Sequence, residues 1–136
     1  MRHTAILLLL VACAGAPDGA PAGQDVGLPA GDQEVTLAIG ESRQLPGGAS
    51  LALTAVPADS RCPRNVVCVW AGSVAATLRF SVGSADTTAT INSLSEPRAF
   101  AFRGWHATLK GVTPDPDAGV PTPPESYRVT VLVGRE

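Results

Sequence analysis

The chain has little of what most chemistry is built from. Only 4% of its 136 residues are aromatic, lysine occurs once (Lys110) and histidine twice (His3 and His106). Ten basic against twelve acidic residues leave a formal charge of −2, so the basic face of a nucleic-acid binder is missing. The arginines are scattered without interleaved aromatics, which argues against single-stranded nucleic acid as well. No Gly-rich strand-to-helix turn suggests a phosphate loop or a dinucleotide fingerprint. No apolar run reaches the ~20 residues of a bilayer-spanning helix. No cofactor is expected.

Glycine and proline, by contrast, are plentiful at 14 and 12 residues. That much turn chemistry excludes a helical bundle and points to short strands, turns and linkers. The length suits one domain and leaves no room for two full cores.

Arg2 precedes a short apolar run, Ile6 to Ala12, the pattern of an export signal. The tetrapeptide Leu10-Val11-Ala12-Cys13 resembles the bacterial lipobox. The resemblance implies a signal peptide over 1–12 and a diacylglycerol on the Cys13 thiol, with acylation of the new amino group. Two or three acyl chains at ~0.8 kcal/mol per buried CH₂ give stable membrane anchoring where one does not. The plainer alternative is a secretory signal cut near Ala14 or Ala16, with Cys13 discarded. Ala14 stands where Asp resembles an inner-membrane retention mark, which implies the outer membrane in a Gram-negative cell, on its periplasmic or surface face. Processing removes Arg2 alone among the charged residues and leaves nine basic and twelve acidic, a net of −3.

After Cys13, positions 14–31 hold five Gly, five Ala and three Pro, thirteen of eighteen residues. Such a stretch cannot bury enough apolar surface to offset its chain entropy, so 13–31 is expected to be the lipidated Cys and a flexible tether. Its random-coil length is on the order of 25 Å.

Residues 32–136 read as a β domain. Val35, Leu37 and Ile39 alternate with polar or small residues, as do Leu51, Leu53 and Ala55. The clearest run is Val74, Ala76, Leu78, Phe80 and Val82. Phe100 and Phe102 follow, then Trp105, Ala107 and Leu109, and last Tyr127, Val129, Val131 and Val133. Each is the period-two signal of a half-buried strand. Gly40, Pro46-Gly47-Gly48, Gly83, Pro97 and Gly104 separate the runs. Seven or eight strands fit, which predicts an all-β fold, a small antiparallel β-sandwich or a partly closed barrel. Two connections are long, 57–71 and 113–126, the second with five of the twelve prolines. Long loops on a small β domain are either stiff surface connections or functional.

The first long connection holds Cys62 and Cys68. A pair of cysteines in an exported domain predicts a disulfide, worth roughly 2–3 kcal/mol for so short a loop. Two Cys and His106 are too few for structural zinc, and the spacing is not the Cys-x-x-Cys of thiol oxidoreductases. Asp59 can accept backbone N–H bonds in a turn and pair with Arg61. In extended chain Trp70 points to the same face as the Cys68 sulfur. It either packs beside the disulfide, as in many sandwiches, or stands out as an aromatic anchor for a partner. Asp59, Arg61, Arg64 and Trp70 are therefore the candidate binding residues of a braced loop.

The stretch Asp59-Ser60-Arg61-Cys62-Pro63, then Cys68, then Trp70-Ala71-Gly72, resembles the D-S-R-C-P and C-x-W-A-G signature of a family of small secreted or lipid-anchored bacterial proteins. Val112-Thr113-Pro114-Asp115-Pro116 and the closing Tyr127-Arg128-Val129 are similar to that family's C-terminal elements. The resemblance implies a β-rich envelope domain and brings no activity with it.

Catalytic constellations are scarce. A Ser-His-Asp site would have to use His106, which falls on the polar face of a predicted strand and reads better as a solvated side chain. Asp115, Asp117 and Glu125 could approach Ca²⁺, but not with EF-hand spacing. The expectation is a non-enzymatic envelope lipoprotein that binds or stabilises an envelope protein, attached to the membrane by its N-terminal lipid. The rival is an inhibitor of secreted hydrolases that offers Arg61 or Arg64 to a protease. A third reading is an esterase-like enzyme using His106.

Overall fold

The computed structural model describes residues 31–135. Cys13, the signal expected over 1–12 and nearly all of the expected tether lie outside the described residues. The strands are β1 (Gln33–Ala38), β2 (Ser42–Leu45), β3 (Ala49–Asp59), β4 (Val74–Val82), β5 (Ala85–Asn92), β6 (Ala99–Phe102), β7 (Trp105–Thr113) and β8 (Arg128–Arg135). They form two antiparallel sheets of four, in the orders β1-β8-β7-β6 and β2-β3-β4-β5. The fold is thus a β-sandwich and not a closed barrel. Among the described residues the only helical turns are two 3₁₀ turns, Pro46–Gly48 and Pro124–Ser126.

The path is simple. β2 to β5 form one sheet as a run of neighbours, and β6 to β8 do the same in the other. β1 then closes the second sheet by pairing with β8, Gln33 opposite Val133 and Ala38 opposite Arg128. The Thr36 and Thr130 hydroxyls bond across this pair at 2.8 Å.

The alternating apolar residues face one another between the sheets. Leu37, Leu51, Leu53, Ala76, Leu78, Ile91, Ala107, Val129, Val131 and Val133 are fully buried. Phe80 sits among the other core aromatics, with ring centroids 6.0 Å from Phe100, 6.5 Å from Phe102 and 5.8 Å from Trp105. Tilted and edge-on contacts of this kind add to the area each ring buries.

Three departures from the sequence reading have physical causes. β2 and β5 lack apolar alternation because each buries a single side chain, Leu45 in β2 and Ile91 in β5. β3 runs to Asp59, into the stretch expected to be a connection, with register shifts between Leu53 and Ala55 and between Ala55 and Ala58. A shift of one residue swaps the faces of a strand. Hence Val56, and not Ala55, packs against the core beyond Leu53.

The sandwich has two distinct poles. β1 begins beside the end of β8, next to the start of β7, so the chain enters the domain there. The connections 60–73, 93–98 and 114–127 gather at the opposite end. The eleven residues of β3 separate the poles by about 35 Å, at ~3.3 Å per residue.

At the entry pole the Nε2 of His106 lies 3.2 Å from Asp32. Gly134 makes room for that pair, since a Cβ there would stand 1.9 Å from the Asp32 carboxylate.

Phe80→Ala removes the ring on which three others pack. It is expected to cost about 3–5 kcal/mol in urea unfolding, with an unchanged slope. A cost below ~1 kcal/mol would show that the aromatic cluster is not the centre of the core.

Candidate functional site

Arg61 organises the loop pole. Its Nε donates to Asp59 Oδ1 at 2.9 Å and its Nη2 to Asp59 Oδ2 at 2.7 Å. Nη2 also donates to the Pro114 carbonyl at 2.8 Å, and Nη1 to the Val112 carbonyl at 2.5 Å and to Asp115 Oδ1 at 3.4 Å. The Tyr127 hydroxyl donates to Asp59 Oδ2 at 3.1 Å. The fork-to-carboxylate geometry is the strong form of a charged hydrogen bond. It forms largely out of water, with 15% of the Arg61 side chain and 9% of that of Asp59 exposed.

The local chain explains the position. Asp59 is the last residue of β3, and its carboxylate also accepts the Arg61 backbone N–H at 3.2 Å. This short turn folds the guanidinium back over the carboxylate and under the chain leaving β7. The three motifs that carry the family resemblance therefore meet in one network. Asp59 and Arg61 come from the first, Val112, Pro114 and Asp115 from the second, and Tyr127 from the third.

Burial alone would raise the Asp59 carboxyl. The side-chain and backbone hydrogen bonds from Arg61, its charge and the Tyr127 hydroxyl outweigh burial and hold Asp59 below the ordinary carboxylate range. The bond to Asp59 raises the Arg61 guanidinium further. Burial, reinforced by the Asp59 charge, pushes the Tyr127 phenol up.

Arg64 makes a second link to the proline-rich connection, with Nη2 2.6 Å from Asp117 Oδ2 and its backbone N–H on the Pro116 carbonyl. The Ala118 N–H donates to the Asn65 side chain at 2.8 Å. Gly72 is the close approach at the loop's base. Its φ is +67°, and a Cβ there would stand 1.7 Å from the Ser60 carbonyl oxygen, which accounts for glycine in Trp70-Ala71-Gly72.

Cys62 and Cys68 form the expected disulfide, with their Cα atoms 5.9 Å apart. The ring it closes and the two residues beyond Cys68 are apolar and face water. Trp70 is 83% exposed, Val67 and Val69 more so, and Val66 about half. Trp70 thus does not pack beside the disulfide within the fold. The chain bends at Val69 and Trp70 instead of running extended, and the apex stands clear of both sheets.

The other candidates separate. Arg61 is turned inward and fully engaged, so it is no exposed arginine. Asp115 and Asp117 face Arg61 and Arg64, and among the described residues no acidic or His/Cys cluster has metal-site geometry. His106 is half-buried beside Asp32 at the other pole, not a solvated strand residue. Sequence reasoning passed over Val67, Val69 and Asn65, and it read Asp117 as a possible Ca²⁺ ligand and not as the partner of Arg64. The uncharged run from Asn65 to Ser73, in a loop bounded by proline and glycine, was the available signal.

No protein-family model matches this chain, and no curated protein or solved structure matches it.

Arg61→Met removes the guanidinium from Asp59 and from the Val112 and Pro114 carbonyls and is expected to cost about 3 kcal/mol in urea unfolding. Asp59 also sets an acid limit. Its folded pKa lies below the unfolded value of about 3.9, so its contribution is complete at neutral pH and fades as pH falls below about 4. Asp59→Asn should therefore show a shallower fall in Tm with acid than the unaltered chain. An equal slope would assign the acid sensitivity elsewhere.

Proposed function

We propose that this chain is a non-enzymatic lipoprotein of the bacterial cell envelope, held in the membrane by an acylated Cys13 and working as a binding module through its loop pole. The observation that carries the reading is the fate of its few aromatics. Five of the six pack on or in the core, and Trp70 alone stands in water, two residues beyond the disulfide. Burying a tryptophan is worth several kcal/mol, so one held rigidly outside is an anchor for something else.

The placement of the chain supports this reading. Residues 1–32 join the domain at the pole opposite Trp70, so an anchor at Cys13 leaves the apex free. Val67 and Trp70 stand largely in water, and the hollow walled by Arg64, Asp117 and Val120 measures about 120 Å³, short of the ~300 Å³ of a small-molecule site. A macromolecule suits such a surface, and an envelope protein is the partner proposed. The lipobox and the resemblance of the loop to small secreted or lipid-anchored proteins support the address.

The braced loop also keeps the inhibitor reading in view. Arg61 is turned inward, but Arg64, paired with Asp117, keeps 61% of its side chain exposed and is the arginine that reading would use.

Labelled palmitate should enter the full chain in bacterial cells and be lost with Cys13→Ser. A photo-reactive residue in place of Trp70 should give one dominant adduct, lost with Cys62→Ser/Cys68→Ser. Absence of both label and adduct in exported, folded protein would falsify the proposal. Trypsin-like proteases should remain fully active at stoichiometric excess of the chain, and their inhibition would favour the rival.

A further inference from the structure

β1 and β2 are edge strands of different sheets, joined by the turn at Gly40 and lying beside one another on one flank of the sandwich. Between them, toward the entry pole, is a cleft of about 250 Å³. Its walls are Gln33, Glu34, Val35 and Thr36 of β1 and Arg43 and Gln44 of β2. The opposite flank, where β5 and β6 are the edges, is filled by Phe100 and Phe102, which pack on the core. On the β1–β2 flank, strand alternation puts Gln33 on the face of the buried Val35 and Leu37, and Arg43 on the face of the buried Leu45. Polar side chains thus stand where the other flank has phenylalanines, and the cleft stays unfilled.

The main chain of both walls aims into this cleft. The Ala38 N–H donates to the Glu41 carboxylate at 2.9 Å and its carbonyl accepts the Glu41 N–H, so Ala38 turns away from β8. Main-chain direction repeats every second residue, so Glu34 and Thr36 turn away from β8 as well. The Thr36 and Thr130 hydroxyls, 2.8 Å apart, fit the close side-chain spacing of such a pair. On the other wall, the Glu41 carbonyl accepts from the Leu53 N–H, which sets Arg43 and Leu45 toward β3 and turns Ser42 and Gln44 outward. The N–H and C=O groups of Glu34, Thr36, Ser42 and Gln44 have no partner among the described residues.

We infer that the cleft takes an extended segment of another protein as an added strand, bonded to both edges at once. Packed sheets stand ~10 Å apart and paired strands ~4.8 Å apart, so a strand laid between the two edges is within bonding distance of each. Successive residues of an extended chain turn their N–H and C=O groups to opposite sides, one set for β1 and the other for β2. No lipid headgroup or sugar carries that alternation. Main-chain bonds of this kind are how proteins capture extended peptides at sheet edges.

The occupant must have both of its own edges free. That excludes β1 and β2 of a second copy, each of which is already bonded on one side. Positions 14–30 of this chain hold one β-branched residue, Val26, and make a poor strand. The occupant also lacks proline where it must donate, and it is uncharged where it meets the floor. There the Arg43 guanidinium is already matched by the Glu41 carboxylate at 3.4 Å, and Gln33 offers an amide. The cleft and the loop pole share no residue, so neither site depends on the other.

The test follows main-chain amide exchange by NMR in the full chain held in detergent. The probe is an acetylated, amidated hexapeptide of alternating threonine and glutamine. At about 1 mM it should slow exchange at Glu34, Thr36, Ser42 and Gln44 roughly tenfold, as a Kd of about 0.1 mM requires. The same peptide N-methylated at its threonines, which blocks one of its edges, should protect none of them. Thr36→Pro removes an outward N–H and leaves the β8 ladder whole, so it should abolish binding while Val35 and Leu37 stay protected. Thr36→Val should bind as the unaltered chain does. No protection by the peptide, protection at other residues only, or equal protection by the methylated form overturns the proposal. Protection of the four amides before any peptide is added also overturns it. That result assigns the cleft to positions 14–30 if it is independent of chain concentration, and to a second copy if it rises with concentration.

Discussion

The loop pole depends on one guanidinium. Arg61 directs its N–H groups at Asp59, Asp115 and the carbonyls of Val112 and Pro114, so it joins residues about fifty positions apart. Without it, the Val112 and Pro114 carbonyls would lose their link to Asp59, which would keep only the Tyr127 hydroxyl and the Arg61 backbone N–H. The connections there bury few apolar side chains, and segments of that kind open at low cost unless polar contacts hold them. The disulfide closes seven residues on themselves but does not tie them to the sandwich. Arg61 and the close approach at Gly72 do that, while Arg64 and Asn65 tie the loop to the proline-rich connection.

The two halves of the molecule are stabilised by different means. Toward the entry pole, Phe80, Phe100, Phe102 and Trp105 pack together, and Arg135 lies over the Trp105 ring at 5.4 Å. Toward the loop pole, charge and hydrogen bonding take over, and the one buried aromatic there, Tyr127, uses its hydroxyl on Asp59. A polar network with every donor matched holds one geometry, because any displacement leaves a partly buried group unpaired. That rigidity is what lets an apolar apex remain in water.

The charged and titratable residues of the two poles are largely engaged within the fold. The chemistry-bearing residues are occupied with structure: Asp59 and Arg61 with each other, Asp117 with Arg64, and His106 with Asp32 at the far pole. What remains unengaged at the poles is apolar area, gathered where the chain does not enter. The chain thus enters at one pole and gathers its exposed apolar side chains at the other.

Much of this was legible in the sequence. The inward faces of β4, β7 and β8 could be read from Val74 to Phe80, from Trp105 to Leu109 and from Val129 to Val133, because period two is a local property of the chain. The Cys62–Cys68 bridge and the Asp59–Arg61 pair were legible for the same reason, their partners being at most six residues apart. Edge strands β2 and β5 were not, since a strand that buries one side chain has no alternation to show. Nor was the shift in β3 that turns Val56 inward. The meeting of Asp59, Val112, Pro114 and Tyr127 was decided only by the packing of one sheet on the other, which brings distant segments within hydrogen-bond reach. The outward stance of Trp70 was decided there as well. Whether a loop side chain lies inside or outside depends on the surface beneath it, and the tertiary structure alone supplies that surface.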